Sequence, residues 1–453
     1  MKNIFTLLLA FLALPACVSE SPLTGKPCPC ATGQICCEAS NRCQAPGEIC
    51  AANSPMDGSS ADTAPPVHLG GPDLGTSPRD GGAVDTHTAD GATPSRWQPI
   101  PETPSLVVST TRRGAVFMDD RLTIFTDPHG RNETWSYRFA QNDWVRVSQG
   151  PMAAYFYSYA GKVWTGTRLL YWGGSFAPGA TLDLIGGLYD PVTDTWSPIS
   201  LDSALAMGVE GSAYTGQEVF MYGTISGGDV TPQSGVFYNP STDRWRAAPT
   251  LGAPTAAIAA VVGLGSRIVV WGGEYYDPTE VFLIFAGDGA VYDVATDSWT
   301  PMAPQNAPGP RAAMIAFAAG GQAFLWGGTD GTANSLGEQT IFRDGAMYDP
   351  NRDLWTPIST ANSPVRAAGG LWVEEQGLAY VWAGQDSPGM TLWTYNPAND
   401  TWATFDIADL PALKAVSFHW TGSKLLAIGF LGSVDATGGA VGSLRLTGYL
   451  FNP

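Results

Sequence analysis

The chain has 453 residues, of which 44% are hydrophobic and only 14% are charged, and its formal net charge at pH 7 is −18. This length allows two or three average domains or one large all-β domain. The 54 Gly, 35 Pro and 16 Trp residues favour many short strands joined by turns. Because so acidic a protein is repelled by phosphate backbones, nucleic acid is not expected as a partner.

The first residues are typical of an export signal. Lys2 precedes an apolar core from Ile4 to Leu14 that is too short to span a bilayer. The sequence LPAC, ending at Cys17, resembles the lipobox of bacterial lipoproteins. The resemblance implies a signal peptide at residues 1–16, lipidation of Cys17 and a lipidated tether at residues 17–27. The alternative is an ordinary secreted protein with Cys17 near its cleavage site.

The residue after the lipobox cysteine indicates where a lipoprotein is sorted. Val18 stands where many lipoproteins retained at the inner membrane have Asp. The resemblance therefore implies a lipid-anchored protein of the bacterial cell envelope, in the outer membrane or at the cell surface. The leaflet stays open, because the sorting rule differs between bacteria.

The next segment, residues 28–50, is rich in cysteine. Its six cysteines are Cys28, Cys30, Cys36, Cys37, Cys43 and Cys50. An even number of cysteines in a short exported segment predicts a module stabilised by three disulfides. A bond between the adjacent Cys36 and Cys37 would be strained, and the other pairings stay open. The spacing resembles knottin-like or granulin-like modules, and zinc binding is the competing interpretation, although no His lies nearby.

Residues 51–95 contain no aromatic residue and consist mainly of Gly, Ala, Ser, Thr, Pro and Asp. Such a segment buries too little apolar surface to offset its ordering entropy. We therefore predict a disordered linker.

From residue 96 onward one phrase recurs, with a Tyr and a Trp seven residues apart. The copies are Tyr137/Trp144, Tyr189/Trp196, Tyr238/Trp245, Tyr292/Trp299, Tyr348/Trp355 and Tyr395/Trp402. Asp or Asn, often with Pro, lies between the two aromatics, and these residues favour turns. The phrase predicts a hairpin in which Tyr closes one strand and Trp opens the next.

Upstream of most copies lies an apolar run ending in Gly-Gly, as in RLLYWGG and RIVVWGG, preceded by a further strand. Four strands per repeat, a diglycine after the second, Tyr in the third and Trp in the fourth resemble the kelch repeat. The resemblance covers residues 96–453 and implies an all-β fold, a kelch-type β-propeller.

The two ends of this region complete each other. The chain ends in YLFNP, a third strand without its Trp, whereas RWQPI at residues 96–100 is a Trp strand with nothing before it. Seven Trp residues hold the fourth-strand position when Trp97 is included. We predict a monomeric propeller of seven blades, the last built from both termini, which leaves no open sheet edge. The Tyr and Trp side chains are expected to pack between blades.

Metal or cofactor chemistry is not indicated in this region. It has two histidines, His129 and His419, and no cysteine. A galactose-oxidase-type copper site needs a Tyr cross-linked to Cys, so we predict no such cofactor, no metal and no catalytic residues. His419, between two aromatics of an inner strand, is expected to be structural, while the roles of both histidines stay open. Glu274 is expected to lie in a solvated turn.

Three cations stand six residues before an inner-strand aromatic. Arg311 precedes Phe317, Arg366 precedes Trp372 and Lys414 precedes Trp420. Arg113 offers a further cation in the first blade, with its register displaced. In some kelch propellers this repeat position places Arg at the channel mouth, so these four residues are predicted ligand-binding residues. The alternative is that they bond loop carbonyls or local Asp residues.

The sequence thus favours a surface-anchored binding module for a protein or a glycan, with an acidic ligand as one option. A metal-independent carbohydrate-active enzyme resembling the kelch-type sialic-acid epimerases is the alternative, and a purely structural role in the envelope is the third. The identity of the ligand is not determined by the sequence.

Overall fold

A computed structural model describes thirteen stretches of the chain. They are residues 35–37, 42–44, 95–102, 113–126, 133–150, 161–175, 183–200, 207–225, 235–277, 282–333, 339–384, 389–434 and 440–452. The chain divides into two compact units, Met1–Ala92 and Thr93–Pro453. Every regular element in these stretches is a β-strand, and none of them forms a helix that could cross a membrane.

In the first unit the structure describes one antiparallel hairpin. Its strands are β1 (Ile35–Cys37) and β2 (Arg42–Gln44), and Cys36 lies opposite Cys43 in the register. The predicted signal peptide, the lipidated Cys17, the six-cysteine disulfide module and residues 51–94 of the predicted linker otherwise lie outside the described residues. These predictions stay predictions.

The second unit contains, within its described residues, seven four-stranded antiparallel sheets, which we call blades 1 to 7. Blade 1 comprises β4 (Arg113–Met118), β5 (Arg121–Thr126), β6 (Glu133–Arg138) and β7 (Asp143–Arg146). Blade 2 comprises β8 (Gly161–Trp164), β9 (Leu169–Ser175), β10 (Asp183–Asp190) and β11 (Thr195–Pro198). Blade 3 comprises β12 (Met207–Tyr214), β13 (Val219–Ile225), β14 (Val236–Asn239) and β15 (Arg244–Ala247).

Blades 4 and 5 each carry an additional two-stranded hairpin between their second and third strands. Blade 4 comprises β16 (Ala260–Leu264), β17 (Arg267–Trp271), β20 (Gly289–Asp293) and β21 (Ser298–Pro301), with β18 (Glu274–Asp277) and β19 (Phe282–Phe285) as its hairpin. Blade 5 comprises β22 (Ile315–Ala319), β23 (Gln322–Trp326), β26 (Gly345–Asp349) and β27 (Leu354–Pro357), with β24 (Thr329–Ala333) and β25 (Gln339–Ile341) as its hairpin.

Blade 7 is the blade that joins the two ends of the unit. Blade 6 comprises β28 (Ala367–Val373), β29 (Leu378–Ala383), β30 (Thr391–Asn396) and β31 (Thr401–Phe405). Blade 7 comprises β32 (Lys414–Trp420), β33 (Leu425–Val434), β34 (Ala440–Phe451) and β3 (Trp97–Pro99). Strand β3 pairs with β34, and Trp97 lies opposite Phe451. The predicted seven-bladed propeller, closed by the Trp97 strand, is confirmed.

The hydrophobic core is divided into clusters that lie between blades. One cluster joins Trp172 of blade 2 to Trp245 of blade 3, with ring centroids 5.1 Å apart. Another joins Leu122 of blade 1 to Leu426 and Phe430 of blade 7, which completes the ring. Because each blade buries one face against each neighbour, removal of any blade would expose apolar surface on two others.

The repeated phrase forms the predicted hairpin between the third and fourth strands. In blade 2, Tyr189 lies directly opposite Trp196, and their ring centroids are 5.2 Å apart. The residue two before the Trp has a positive φ in every copy: Asn142, Asp194, Asp243, Asp297, Asp353 and Asp400. Asp and Asn tolerate this left-handed conformation better than other non-Gly residues, which explains their presence there.

The Asp and the Trp of this hairpin also form hydrogen bonds with the backbone of the preceding blade. The Tyr189 hydroxyl donates to Asp194 Oδ1 (2.9 Å), which also accepts the backbone N–H of Ser148 (2.9 Å) at the end of blade 1. Trp196 Nε1 donates to the carbonyl oxygen of the same Ser148 (2.9 Å). We call this set of bonds the Tyr–Asp–Trp clamp. It recurs on the backbones of Ser200, Ala303 and Ser359.

The clamp is incomplete where the clamped residue is a proline, as at Pro101, which accepts only the Trp144 indole N–H (2.9 Å), and at Pro249. Between blades 3 and 4 the clamped position is Pro249, which has no N–H to donate. Asp297 instead accepts a hydrogen bond from Arg246 (2.9 Å). The Nε1 of Trp299 is buried and has no hydrogen-bond partner among the described residues.

Arg96 fastens the N-terminal strand to blade 6. Its guanidinium pairs with Asp406 (2.8 Å) and Asp409 (2.9 Å), and its backbone N–H donates to Asp409 Oδ2 (2.7 Å). Trp97 itself is 2% exposed and packs on Phe418 and Phe451. Closure therefore depends on one buried aromatic side chain and a surface ion-pair network.

We expect Trp97→Ala to lower the free energy of unfolding by roughly 3–5 kcal/mol, because it removes a large buried side chain from the closing blade. Deletion of residues 96–100 should have a larger effect. Chemical denaturation followed by tryptophan fluorescence measures both. The exposed Leu251 offers the matched control, since Leu251→Ala should change stability by less than about 0.5 kcal/mol. An unchanged midpoint for Trp97→Ala would contradict the closure.

Candidate functional site

The candidate site lies on one face of the propeller. In each blade the first strand begins where the second strand ends, as Ala260 and Trp271 pair in blade 4 and Ile315 and Trp326 in blade 5. We call this side the entry face. The connections between second and third strands leave from it, and such loops around the central channel are where propellers carry function.

A left-handed residue marks the start of the inner strand in blades 4 to 7. These residues are Ile258, Ala313, Arg366 and Ala415, with φ between 47° and 57°. Four different side chains adopt this conformation at one structural position, so it is a feature of the repeated backbone. It provides a common register for locating the predicted cations.

The three cations do not occupy equivalent positions, contrary to the expectation from sequence. Arg366 is the left-handed residue of its blade, whereas Lys414 precedes Ala415 by one residue and Arg311 precedes Ala313 by two. The cause is a pair of register shifts, in β28 after Ala367 and in β32 after Lys414, which the spacing to an aromatic does not show.

Arg311 is engaged within its own blade. It is 2% exposed, and its guanidinium donates to the carbonyl oxygens of Gly309 (2.9 Å) and Gly327 (3.1 Å) and to Asp344 Oδ1 (2.8 Å). The guanidinium also lies 4.1 Å from the ring centroid of Phe342. These contacts brace the chain after the second strand of blade 5. They favour the structural alternative for Arg311, and ligand binding by this residue stays a prediction.

Arg366 and Lys414 lie nearer to the surface than Arg311 does. Arg366 is exposed, and its side chain has no hydrogen bond or ion pair with another described residue. Lys414 is half-buried at the start of β32, where its backbone pairs with Phe430. Arg113 begins the inner strand of blade 1 opposite Thr126 in the register, and its side chain lies outside the described part, as does His129.

A cleft of about 190 Å³ opens between blades 7 and 1. Its lining is mostly apolar and is formed by Ala115, Ile124, Ala415, Ser417, Ile428, Gly429, Phe430 and Leu446. Lys414 and Arg113 are close in sequence to the lining residues Ala415 and Ala115. The cleft is smaller than most ligand pockets, and its apolar walls suit a small apolar group.

His419 lies at the same junction in a structural setting. Its Nε2 is 3.0 Å from Ser417 Oγ, and its ring stacks on Phe117 of blade 1 with centroids 5.7 Å apart. Burial lowers the pKa of His419 to about 4, so the imidazole is neutral at pH 7. This environment agrees with the structural role predicted for it.

Across the ring, blades 3 and 4 contribute two carboxylates. Glu274, expected in a solvated turn, is instead only 9% exposed, because the backbone of β18 folds it against Ala257. Burial and the nearby charge of Glu210 raise the pKa of Glu274 to about 6. Glu210 was not a candidate in the sequence, since nothing local marks the register shift of β12 at which it lies.

The described residues contain no group of three or more His, Cys, Asp or Glu side chains arranged to hold a metal ion. The charged groups described at the entry face include Arg366 and Lys414 at blades 6 and 7, and Glu210 and Glu274 at blades 3 and 4.

Glu274 should make stability depend on pH. Its folded-state pKa, about 6, lies above the ordinary value of 4.5, so its favourable contribution is full below pH 4.5 and is lost as pH rises through 6. Glu274→Gln should therefore raise the free energy of unfolding by about 1–2 kcal/mol at pH 7.5 and change little at pH 4.

Urea denaturation at both pH values measures this difference. The control is Glu375→Gln, since Glu375 is exposed in a turn of blade 6 and its substitution should have no effect at either pH. An equal effect of Glu274→Gln at pH 4 and pH 7.5 would show that the pKa of Glu274 is not raised.

Comparisons with known proteins found a family model and a solved structure to which this chain is similar. Residues 211–429 match a family model described as "KLHDC2/KLHL20/DRC7 Kelch-repeats domain". A solved structure titled "Structure of YjhT" is similar at 15% identity and a TM-score of 0.44, over 68% of this chain and 99% of that chain. No curated protein matches the chain. The fold of this chain is thus a seven-bladed β-propeller, and residues 211–429 of it match the Kelch-repeats model.

Proposed function

We propose that this protein is a lipid-anchored binding module of the bacterial cell envelope, displayed in the outer membrane or at the cell surface. Its entry face takes a protein or a glycan, acidic ligands included, and performs no chemistry. The observation that carries the proposal is Arg366, an exposed guanidinium on the entry face without a partner among the described residues. A guanidinium in this state is suited to bidentate binding of a carboxylate.

The surroundings of Arg366 support a binding surface. Val365 beside it is 45% exposed, so apolar surface adjoins the cation. Lys414 lies in the next blade, and beyond it the cleft between blades 7 and 1 offers apolar walls. A ligand with a carboxylate and an apolar portion would contact both features at once.

The test is a screen of acidic sugars and acidic peptides by thermal shift, repeated on variants. Arg366→Ala and Lys414→Ala should each weaken binding of a hit about tenfold, equivalent to about 1.4 kcal/mol, because each removes one charge-assisted contact. Arg352→Ala, at an exposed outer hairpin of blade 5, should leave binding unchanged.

Arg311→Ala separates binding from structure, since it should lower the melting temperature without any ligand. Unchanged affinity in Arg366→Ala and Lys414→Ala would overturn the proposed site. Failure of every compound to bind would overturn the binding function and favour a structural role in the envelope.

Anchoring is proposed from the lipobox-like sequence that ends at Cys17. Cys17→Ser should release the exported protein from the membrane fraction, because the lipobox position then has no thiol to be lipidated. Fractionation and metabolic labelling with a fatty acid measure the change, with Cys50→Ser as the matched cysteine control. Membrane association retained by Cys17→Ser would contradict the anchor.

A second candidate function is a metal-independent carbohydrate-active enzyme, similar to the kelch-type sialic-acid epimerases. One observation favours it: a carboxyl group with a pKa near 6, such as Glu274, suits general acid–base catalysis. NMR of any bound sugar distinguishes the two functions, since an enzyme converts its ligand and a binding module returns it unchanged.

A further inference from the structure

Glu274 is a buried carboxylate without compensation. Glu274 is the first residue of β18, at the entry face. Its backbone forms two hydrogen bonds with the backbone of Ala257, each 2.7 Å. In the described part of the chain no donor forms a hydrogen bond with its carboxylate, and the residue is 9% exposed. An ionised carboxylate removed from water in this way is unfavourable unless a partner is supplied.

Glu210 approaches the same backbone segment from the neighbouring blade. It lies at the register shift of β12 in blade 3, and its Oε2 accepts the backbone N–H of Ile258 at 2.5 Å. Ile258 follows Ala257 directly, so the two glutamates flank one dipeptide. That Glu210 raises the pKa of Glu274 shows that the two charges act on each other.

No cation among the described residues offsets the effect of Glu210 on Glu274. Only burial and Glu210 shift the pKa of Glu274, and no cation lowers it. A third acid, Asp288, is near enough that it and Glu210 both help to raise the pKa of Tyr222, after burial. The Tyr222 hydroxyl donates to the carbonyl oxygen of Ala256 (2.6 Å), beside the same dipeptide.

We propose that Glu274 and Glu210 form a subsite for a cationic organic group, the guanidinium or ammonium of a basic side chain in a bound protein. Such a group supplies several N–H donors and a positive charge to two adjacent carboxylates.

This subsite goes beyond the proposed function, because it belongs to blades 3 and 4 and not to blades 6 and 7. The entry face then carries negative charge at blades 3 and 4 and positive charge at blades 6 and 7. A protein partner would then be held by an acidic group near Arg366 and by a basic group near Glu274. The two sites are tested with different probes and different variants, so either fails independently of the other.

The probe is N-acetyl-arginine amide, titrated into the full chain at pH 7.5 and followed by thermal shift and NMR. We expect a saturable response in the wild-type protein and an affinity at least tenfold weaker in Glu274→Gln. Because that variant keeps the shape of the side chain and removes only its charge, the loss is not one of folding. Glu210→Gln should weaken binding as well, and the exposed Glu375→Gln should not.

Two further probes define the chemistry. N-acetyl-citrulline amide has the same shape without the charge and should give no response, and binding of the arginine probe should weaken as pH falls through 6. Equal binding of both probes, or full affinity in Glu274→Gln, overturns the proposal. A response to calcium chloride without one to the arginine probe also overturns it, because the site would then be a metal site.

Discussion

The contacts between blades depend on the Tyr–Asp–Trp clamp, by which blades 2, 3, 5 and 6 each bond the backbone of the blade before them. One Asp receives the Tyr hydroxyl of its own hairpin and a backbone N–H of its neighbour, while the Trp indole bonds the carbonyl oxygen of that same neighbouring residue. Hydrogen bonds of this kind fix the angle between sheets that hydrophobic packing alone leaves adjustable. Pro249 has no N–H to donate to Asp297, and Arg246 donates a hydrogen bond to this aspartate instead.

The clamp lies at the hairpins between third and fourth strands, at the opposite end of each blade from the entry face. Residues of the entry face are therefore not needed for these contacts between blades. Buried charges are nevertheless found there. Arg311 is fully engaged with carbonyl oxygens and Asp344, whereas Glu274 has no such compensation among the described residues. The contrast separates a charge that stabilises a loop from a charge that is available to a ligand.

The regular parts of this molecule could be predicted from sequence, and its site could be predicted only in part. The hairpins and closure by Trp97 follow from local spacing, because turn residues and aromatic pairs act within a few positions. Arg366 lies at the entry face and its role in ligand binding stays a prediction, whereas its expected equivalence with Arg311 and Lys414 was wrong, since register shifts in β28 and β32 intervene. Glu274 was expected to be solvated, and Glu210 carried no local signal.

The sequence by itself determined the blade count, the order of the strands and the pairing of the termini, because each of these is repeated or completed by short-range patterns. The tertiary structure decided which charges are compensated. Compensation depends on contacts between residues that are distant in sequence, as between Glu210 and Ile258, and on burial by a neighbouring blade. No periodicity encodes these contacts, since a single extra residue in a strand moves a side chain to a different neighbour.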